Sequence, residues 1–474
     1  MRLTIILLVC GILLSFTSPA RAEIYQAQGE MVGEVTMTSA ILQSRLTAVP
    51  QIVEGQVPGA AGVARFEYAE NADFEPSQSS DWIEAKPEQD YIVKTVLTGL
   101  KPATQYHYRL IFGENPDEAR IGPTATFRTL PGAEGTEPVR FVVVTGMHYG
   151  RFHGLKRGYR GPNPDRAEGF PALAVMAEMD LDFFVGTGDN VYYDHDQAAE
   201  TLPEMRRKWQ EQFAQPRFHE LFQKVPTYWE KDDHDHRYND SDATGDKLPG
   251  HEMGLALFRE QVPVVDPDEP EAKTYRTHRI NRDLQIWLVE GRDYRSPNRM
   301  ADGPEKTIWG AEQLAWLKQS LLGSDAKFKL LISPTPMVGP DDGYKSDNHV
   351  NQKGFRHEGR AFFRWVTENN LHNSGFYVVC GDRHWQYHSL DPSGVEEFST
   401  GALVDANSRL GRSPGDPKST DPDAEIKQLY TQVKPSGGFL RITITPNPES
   451  NKGKAEFTFF DERGKQLYET VKTR

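Results

Sequence analysis

Cysteine is almost absent from this sequence, which has two in 474 residues, Cys10 and Cys380. Cys10 lies in an apolar leader, so the mature chain would keep one cysteine and form no intrachain disulfide. Its stability must therefore come from buried apolar surface, and about 450 residues are enough for two domains with cores of their own.

Long apolar runs are also lacking, apart from the one between Leu3 and Phe16. This run follows Arg2 and precedes the small-x-small triplet that ends at Ala22, which is the pattern of a secretory signal peptide. It is shorter than the ~20 apolar residues that a spanning helix needs. We therefore expect residues 1–22 to be cleaved and the mature protein to be secreted or periplasmic, without a membrane span.

Positive charge is in deficit, with 54 Lys and Arg against 68 Asp and Glu and a net charge of −14. An acidic balance of this size argues against nucleic acid as a main partner. No sequence feature indicates the oligomeric state.

Residues 23–130 contain short alternating runs between Gly, Pro and Asn turns, a pattern that predicts an antiparallel β-sandwich. The runs are VARFEY (63–68), YIVKTVLTGL (91–100) and TQYHYRLIF (104–112). The segment 100–108 resembles the tyrosine-bearing strand of fibronectin type III-like domains. The Pro/Gly/Glu stretch 131–138 predicts a linker to a second domain.

Residues 139–474 differ, because continuous apolar strands now alternate with helical patterns. The predicted strands lie within 139–146, 181–190, 225–235, 284–293, 329–336, 375–384, 439–446 and 454–461. The predicted helices lie near 169–180, as one long helix within 201–223, and at 310–322 and 357–369. Strands that are apolar on both faces, with helices between them, predict an α/β core in which a β-sandwich is flanked by helices.

Four of these strands are followed by acidic or histidine residues. The four clusters are His148, 189–194, 232–236 and 382–384. Because ligands collect where strands of α/β sheets end, we expect the clusters to meet at one edge. Carboxylates and imidazoles held close together suit two divalent or trivalent metal ions about 4 Å apart. Such a pair activates a water and holds phosphate oxygens, so the predicted chemistry is phosphoester hydrolysis.

Each cluster alone has a simpler interpretation. Asp or Asn after a strand is commonly a turn former or a helix cap. The run 232–242 also fits a solvated charged segment or a calcium loop, although it lacks the EF-hand spacing and its central Gly. All four clusters together favour a shared metal site. The histidines without such neighbours are predicted to be structural or exposed, namely His251, His278, His357 and His372.

At these clusters the chain resembles the metallophosphoesterase superfamily and, within it, the PhoD-like alkaline phosphatases. The resemblance covers nearly the whole chain, beginning at GEVTMTSAILQSRL (33–46). The motifs that carry it are GDNVYYD (188–194), WEKDDHD (229–235), CGDRHWQYHS (380–389), EFSTGAL (397–403) and FLRITI (439–444). It implies a metallophosphoesterase-like sandwich flanked by helices behind an all-β domain, with a two-metal centre that commonly holds iron and calcium.

The resemblance also implies metal ligands. Asp189 would bridge or bind the metals, and Tyr192 would be a phenolate ligand that favours ferric iron. Asp233 stands at the family's usual Asn position and would bind the second metal. Asp382 and His384 would complete the coordination.

Further residues would act on the substrate. By the same resemblance, His234 would contact the phosphate and assist proton transfer to the leaving group, and Arg383 would steady substrate charge. Asn190, beside Asp189, is expected to contact the substrate. Lys345 and Asn348, in the polar loop after the 329–336 strand, are candidates for phosphate contact.

Two features depart from the family pattern. A Cys ligand usually follows the first strand of the catalytic domain, whereas this chain has Gly146 there. His148 is the candidate for the missing ligand, which makes Zn or Mn an alternative to Fe and Ca. The signal peptide also lacks a twin arginine, so that metal would be loaded after export of the unfolded chain.

The sequence thus predicts an exported, metal-dependent phosphomonoesterase or phosphodiesterase acting on small organic phosphoesters. Two alternatives stay open: an envelope binding protein that has lost catalysis with its Cys ligand, and a metal-dependent hydrolase of another ester, such as a sulfate. Two local questions also stay open. The first is whether the aromatic side chains of Trp229, Trp385 and Tyr387 anchor the core or stack on a substrate. The second is whether residues 411–423 form a flexible lid or only a long loop.

Overall fold

The computed structural model describes residues 23–155, 164–195, 198–450 and 452–474. The signal peptide predicted for residues 1–22 therefore lies outside the described residues. Within the described ranges, no helix combines the length and the apolar composition that crossing a membrane requires.

Strands dominate the described chain. They are β1 (Glu30–Gly33), β2 (Ser39–Arg45), β3 (Gly62–Ala69), β4 (Gln78–Ser79), β5 (Ile83–Ala85), β6 (Ile92–Thr98), β7 (Gln105–Gly113), β8 (Arg120–Ile121), β9 (Ala125–Arg128), β10 (Val139–Val144), β11 (Phe183–Thr187), β12 (Thr227–Glu230), β13 (Arg276–Arg279), β14 (Leu284–Leu288), β15 (Phe328–Ser333), β16 (Phe376–Cys380), β17 (Gln386–Leu390), β18 (Glu396–Thr400), β19 (Lys427–Thr431), β20 (Gly438–Thr445), β21 (Lys454–Asp461) and β22 (Gln466–Thr473). The α-helices are α1 (Tyr149–Phe152), α2 (Pro171–Ala177), α3 (Leu202–Phe213), α4 (Pro216–Phe222), α5 (His251–Gln261), α6 (Gly310–Leu322) and α7 (Arg356–Glu368).

The N-terminal part is a β-sandwich, as the alternating pattern predicted. β1, β2 and β6 form one side, and β3 and β7 with their short neighbours form the other. Their inward side chains make a core of their own that includes Val32, Leu42, Phe66, Tyr108 and Leu110. The predicted tyrosine-bearing strand is β7, where the Tyr106 hydroxyl accepts the N–H of Lys101 at 2.9 Å and fastens the strand to the turn before it.

This sandwich is joined to the rest of the molecule through one of its strands. β1 pairs in parallel with β12 at Gly33 and Thr227. The Thr227 hydroxyl donates to the carbonyl of Val32 at 2.9 Å, and the Tyr228 hydroxyl donates to that of Val35 at 2.6 Å. The N-terminal sandwich therefore supports the strand that leads directly into the acidic run beginning at Asp232.

Beyond residue 139, two sheets pack face to face between helices. Within the described residues, one sheet has nine strands in the order β22-β21-β20-β10-β11-β12-β1-β2-β6, and the other has seven in the order β13-β14-β15-β16-β18-β17-β19. The core between them includes Phe141, Phe183, Tyr228, Ile286, Leu330, Val379, Leu440 and Phe457. Helices α2 to α5 cover the outer face of the first sheet, and α6 and α7 cover that of the second. The predicted sandwich flanked by helices is confirmed.

The single helix predicted within 201–223 is wrong. α3 ends at Phe213, Gln215 is extended with φ −69° and ψ 127°, and α4 begins at Pro216. Proline has no N–H to donate and its ring clashes with the preceding turn, so the chain starts a new helix there. The apolar spacing continues through the break, so the spacing alone predicts one helix where the structure has two.

Candidate metal centre

The ends of four strands converge at one place. β10, β11 and β12 run parallel in the first sheet, β16 runs parallel with β15 in the second, and the predicted clusters leave their carboxyl ends. Gly381 allows the two sheets to approach here, because a Cβ on it would lie 2.4 Å from the carbonyl oxygen of Thr187. Asp189 and Asp382 both have left-handed φ, 55° and 56°, a strained backbone that clusters at functional sites.

The first ligand group consists of Asp189, Tyr192 and His384. The Tyr192 hydroxyl donates to Asp189 Oδ2 at 2.9 Å, and His384 Nε2 lies 3.0 Å from the same oxygen and 3.3 Å from the hydroxyl. Burial raises the pKa of Asp189 and of Tyr192 and lowers that of His384, so each group is driven toward its neutral form without a cation. The three donor atoms are close enough to hold one ion.

The second ligand group consists of carboxylates. One oxygen from each of Asp233, Asp240 and Asp347 lies within 4.8 Å of the others, and Asp189, Asp233 and His234 form an overlapping set within the same limit. Among the described residues, neither oxygen of the buried Asp347 nor Oδ1 of Asp189 has a hydrogen-bond donor. Buried carboxylate oxygens without donors are costly unless a cation compensates them, so this donor set fits metal ions.

Two cations of the chain limit repulsion among these carboxylates. Lys345 Nζ lies 3.0 Å from Asp240, 3.6 Å from Asp382 and 3.8 Å from Asp347. Although burial and Arg383 oppose its charge, these carboxylates raise the pKa of Lys345. Arg292 Nε donates to Asp232 Oδ1 at 2.8 Å, and its Nη2 lies 3.9 Å from Asp347 Oδ2.

His234 is held by a carboxylate. Its Nδ1 lies 2.6 Å from Asp194 Oδ1. Burial opposes protonation of the ring, but Asp233 and Asp189, together with the bond to Asp194, raise the pKa of His234 to about 10. Without a cation at these carboxylates the ring is protonated, and a protonated imidazole in this position has the chemistry of a proton donor.

His148 caps the short helix α1 and lies against Tyr192. Its Nδ1 accepts the backbone N–H of Arg151 at 3.2 Å and so caps α1. Its Nε2 lies 3.2 Å from His195 Nδ1, and its ring stacks on Tyr192 with centroids 4.0 Å apart. A neutral imidazole whose Nδ1 accepts a hydrogen bond carries its proton on Nε2. To bind an ion through Nε2, His148 would first have to release the Arg151 amide.

The matches to known families cover almost the whole chain. Residues 141–448 match the model of the PhoD-like phosphatase family, and residues 15–131 match the model of the PhoD-like phosphatase N-terminal domain. The chain belongs to the PhoD-like phosphatase family. It is a metal-binding hydrolase of phosphoric esters, as predicted.

Individual relatives are distant. The chain is 22% identical over 466 residues to alkaline phosphatase D of Bacillus subtilis (strain 168), an alignment that covers 88% of this chain and 75% of the relative. It superposes on the solved structure of PhoD with a TM-score of 0.71 at 19% identity, covering 94% of this chain and 92% of that one. It superposes on purple acid phosphatase PPD1 of yellow lupin (Lupinus luteus) seeds with a TM-score of 0.61 at 12% identity, covering 94% and 73%. These two structures share its fold.

In this PhoD-like chain, three predicted substrate contacts already have partners. The Arg383 guanidinium is fully buried between Asp341 and Asp382 and donates to both. The Asn190 amide donates to the carbonyl of Glu230 at 2.8 Å and to Asp235 Oδ2 at 2.6 Å. The Asn348 amide donates to Asp341 Oδ2 at 2.9 Å. All three side chains thus bind carboxylates of the protein, as Lys345 does through Asp240.

Sequence reasoning missed several residues of this PhoD-like site. No role was assigned beforehand to Asp194 and His195, which lie beside His234, or to Asp240 and Asp347, which lie beside Asp233. Asp194 lies inside the quoted GDNVYYD motif, and Asp240 lies inside the quoted 232–242 run, so a signal was present for both. Asp347 comes from an irregular loop with no motif, and only folding brings it near Asp233.

The two local questions have structural answers. Trp229, Trp385 and Tyr387 are fully buried, which makes them core anchors. The 411–423 segment is a loop fixed to the one that carries Lys345: Arg412 Nε donates to Asp342 Oδ1 at 2.6 Å, and the Thr420 hydroxyl accepts the N–H of Asp341 at 2.9 Å.

Proposed function

We propose that this chain is an exported phosphomonoesterase or phosphodiesterase that works with two metal ions. The observation that carries the proposal is the juxtaposition of two ligand groups that meet at Asp189: Asp189, Tyr192 and His384 on one side, and Asp189 with Asp233 on the other, next to Asp240 and Asp347. Two ions held there would activate a water and neutralise phosphate oxygens. The oxygen-rich group suits calcium, and the mixed group suits iron, zinc or manganese.

His234 is proposed as the proton donor. With its Nδ1–H directed at Asp194, its Nε2–H is the one available to the leaving oxygen of an ester. A protonated His234 would also attract the anionic substrate. The Asp194 carboxylate would keep the ring in this orientation and would itself stay out of the reaction.

Lys345 is proposed to contact the phosphate of the substrate. Its ammonium group is charged and lies among Asp240, Asp347 and Asp382, so it can exchange one of these carboxylates for a phosphate oxygen. Arg383 would act indirectly by holding Asp382, while Asn190 would hold Asp235 in place.

Export and domain organisation complete the proposal. Cleavage after Ala22 would leave a β-sandwich domain at 23–130, a linker at 131–138 and a phosphatase domain at 139–474. Intact mass measurement of protein recovered from the culture medium or periplasm tests this. A retained leader would contradict it.

Elemental analysis of protein purified without chelator tests the function, together with hydrolysis of an aryl phosphate monoester and a bis-aryl diester. About two metals per chain with ester turnover is the expected result. An aryl sulfate assayed in parallel distinguishes a hydrolase of other esters. Metal below about half an equivalent, with no turnover after adding back iron, calcium, zinc or manganese, would instead favour the binding-protein alternative.

A further inference from the structure

The loop that carries Lys345 has no regular structure of its own. It leaves β15 at Ser333, reaches α7 at Arg356, and supplies both Lys345 and Asp347 to the metal centre. A loop of this length is held in one conformation only if its backbone polar groups find fixed partners. The segment that precedes Lys345 is therefore expected to be held by a specific buried side chain.

Glu397 binds the start of this loop through three consecutive backbone amides. Its Oε2 accepts the N–H groups of Met337 at 2.5 Å and Val338 at 2.9 Å, and its Oε1 accepts that of Gly339 at 2.8 Å. The Tyr387 hydroxyl donates to Oε1 at 2.7 Å. Glu397 is completely buried. Four donors surround its two oxygens, which matches the accepting capacity of a carboxylate.

A short path of contacts leads from this anchor to the metal centre. Gly339 is followed closely by Asp341, which accepts from both the Arg383 guanidinium and the Asn348 amide. Arg383 binds Asp382, and Asp382 lies 3.6 Å from Lys345 Nζ. The backbone at residues 337–339 is therefore linked to the surroundings of Lys345 through Asp341, Arg383 and Asp382.

We propose that Glu397 is a positioning residue, which holds the 337–339 backbone so that Lys345 meets the phosphate of the substrate. The inference rests on the proposed phosphate contact of Lys345. It gives a role to the EFSTGAL motif, which the proposed mechanism does not otherwise use. Glutamine cannot replace the carboxylate, because its NH₂ group would face backbone N–H groups that need an acceptor.

Glu396 supplies a matched control. It is the preceding residue on β18, but its carboxylate binds His388 Nε2 at 2.6 Å and Lys472 Nζ at 2.6 Å, away from the loop. Glu396→Gln therefore makes the same chemical change on the same strand without touching the 337–339 backbone.

The test is a double-mutant cycle between Glu397→Gln and Lys345→Ala, read in KM, kcat and metal content. We expect each single variant to raise KM for an aryl phosphate about 10-fold or more, with kcat changed less and metal content kept, and the double variant to match Lys345→Ala alone. Glu396→Gln should keep the parental KM. If Glu397→Gln does not fold, Glu397→Asp, whose shorter side chain draws the carboxylate away from the three amides, takes its place in the cycle with the same expected result.

Two results would overturn the inference in different ways. Multiplicative effects on KM in the double variant would show that Glu397 does not act through Lys345, and the phosphate contact would stand. An unchanged KM in Lys345→Ala would refute the phosphate contact itself and the anchoring role with it. A purely structural role for Glu397 would lower the melting temperature equally in both backgrounds and would not make its effect on KM depend on Lys345.

Discussion

Asp194 and His234 form a fixed pair at the edge of the metal centre. Asp194 Oδ1 lies 2.6 Å from His234 Nδ1, and its Oδ2 accepts the backbone N–H of Asn239 at 2.8 Å. Both carboxylate oxygens are therefore engaged, one with the imidazole and one with the loop that follows it. The pair fixes one ring orientation of His234, with Nδ1–H directed at Asp194, before any substrate arrives.

The pair predicts that Asp194→Ala lowers turnover through its effect on His234. We expect kcat to fall about 10- to 100-fold, as is usual when an outer hydrogen-bond partner is removed, and metal content to stay at the parental level. The loss should be larger for an alkyl phosphate than for 4-nitrophenyl phosphate, because a poor leaving group needs its proton more. Asp180→Ala, at a side chain that is 92% exposed, is the control. Equal losses with both leaving groups would contradict the proton-donor role.

Metal content should separate two kinds of residue in this centre. Asp189→Ala removes the carboxylate that both ligand groups share, so we expect loss of metal and of activity together. His234→Ala is expected to keep the metal and to lower kcat about 10²- to 10⁴-fold. Elemental analysis of both variants, purified side by side, checks this. Full metal content in Asp189→Ala would contradict its assignment as the shared ligand.

Metal ligands at the ends of regular strands could be predicted, whereas Asp347 was not predicted as a ligand, although Lys345 in the same loop was predicted near the site. Asp189, Asp233 and Asp382 follow β11, β12 and β16, and parallel strands end at a common edge, so their meeting follows from the pattern. Asp347 reaches the same place from a loop whose path depends on buried contacts such as those of Glu397, which no local pattern encodes.

The strand pairing that joins the N-terminal sandwich to the second part of the chain could not be predicted from the sequence either. Gly33 and Thr227 are far apart in the sequence, and their parallel pairing depends on which strand edges remain open after folding. The sequence predicts a strand within 225–235, where β12 lies, but the runs that it predicts in the N-terminal part do not include β1. No pattern in the sequence indicates that one sheet continues from the N-terminal sandwich into the second part of the chain.

Gly146 stands where the family usually has its Cys ligand, and its surroundings predict the effect of placing a cysteine there. Its φ is +67°, and a Cβ at this position would lie 3.0 Å from both Cα and Cβ of Ala402 and 3.3 Å from Asn407 Nδ2. Asn407 donates to the Tyr192 hydroxyl at 2.8 Å, so crowding at Gly146 would disturb a predicted ligand. We expect Gly146→Cys to lower stability by about 1–3 kcal/mol and to bind no additional metal.

Gly146→Ala is the matched variant for this test, because it introduces the same Cβ without a thiol. Thermal unfolding of both variants and the absorption spectrum of the cobalt-loaded proteins are the measurements. We expect similar losses of stability and no thiolate-to-cobalt charge-transfer band in Gly146→Cys. A strong band with unchanged stability would show that the site still accommodates the family's Cys ligand.

Glu30 carries a buried carboxyl group in the N-terminal sandwich and is 1% exposed. Burial raises its pKa to about 7, against contacts with its own backbone, Gln26 and Leu110 that lower it. In the unfolded chain the pKa of a glutamate is about 4.3. Between these values the unfolded state releases the proton while the folded state keeps it, so stability falls as pH rises, by up to about 3–4 kcal/mol.

Glu30→Gln removes this titration. We therefore expect the difference in unfolding free energy between the variant and the parent to shift in favour of the variant from pH 4.5 to pH 7, and to level off above pH 7. Urea unfolding at a series of pH values, followed by fluorescence, measures it. Glu84→Gln, at a side chain that is 67% exposed in the same sandwich, should show no such shift. A pH-independent difference for Glu30→Gln would mean that this carboxyl group is already ionised in the folded protein at pH 5.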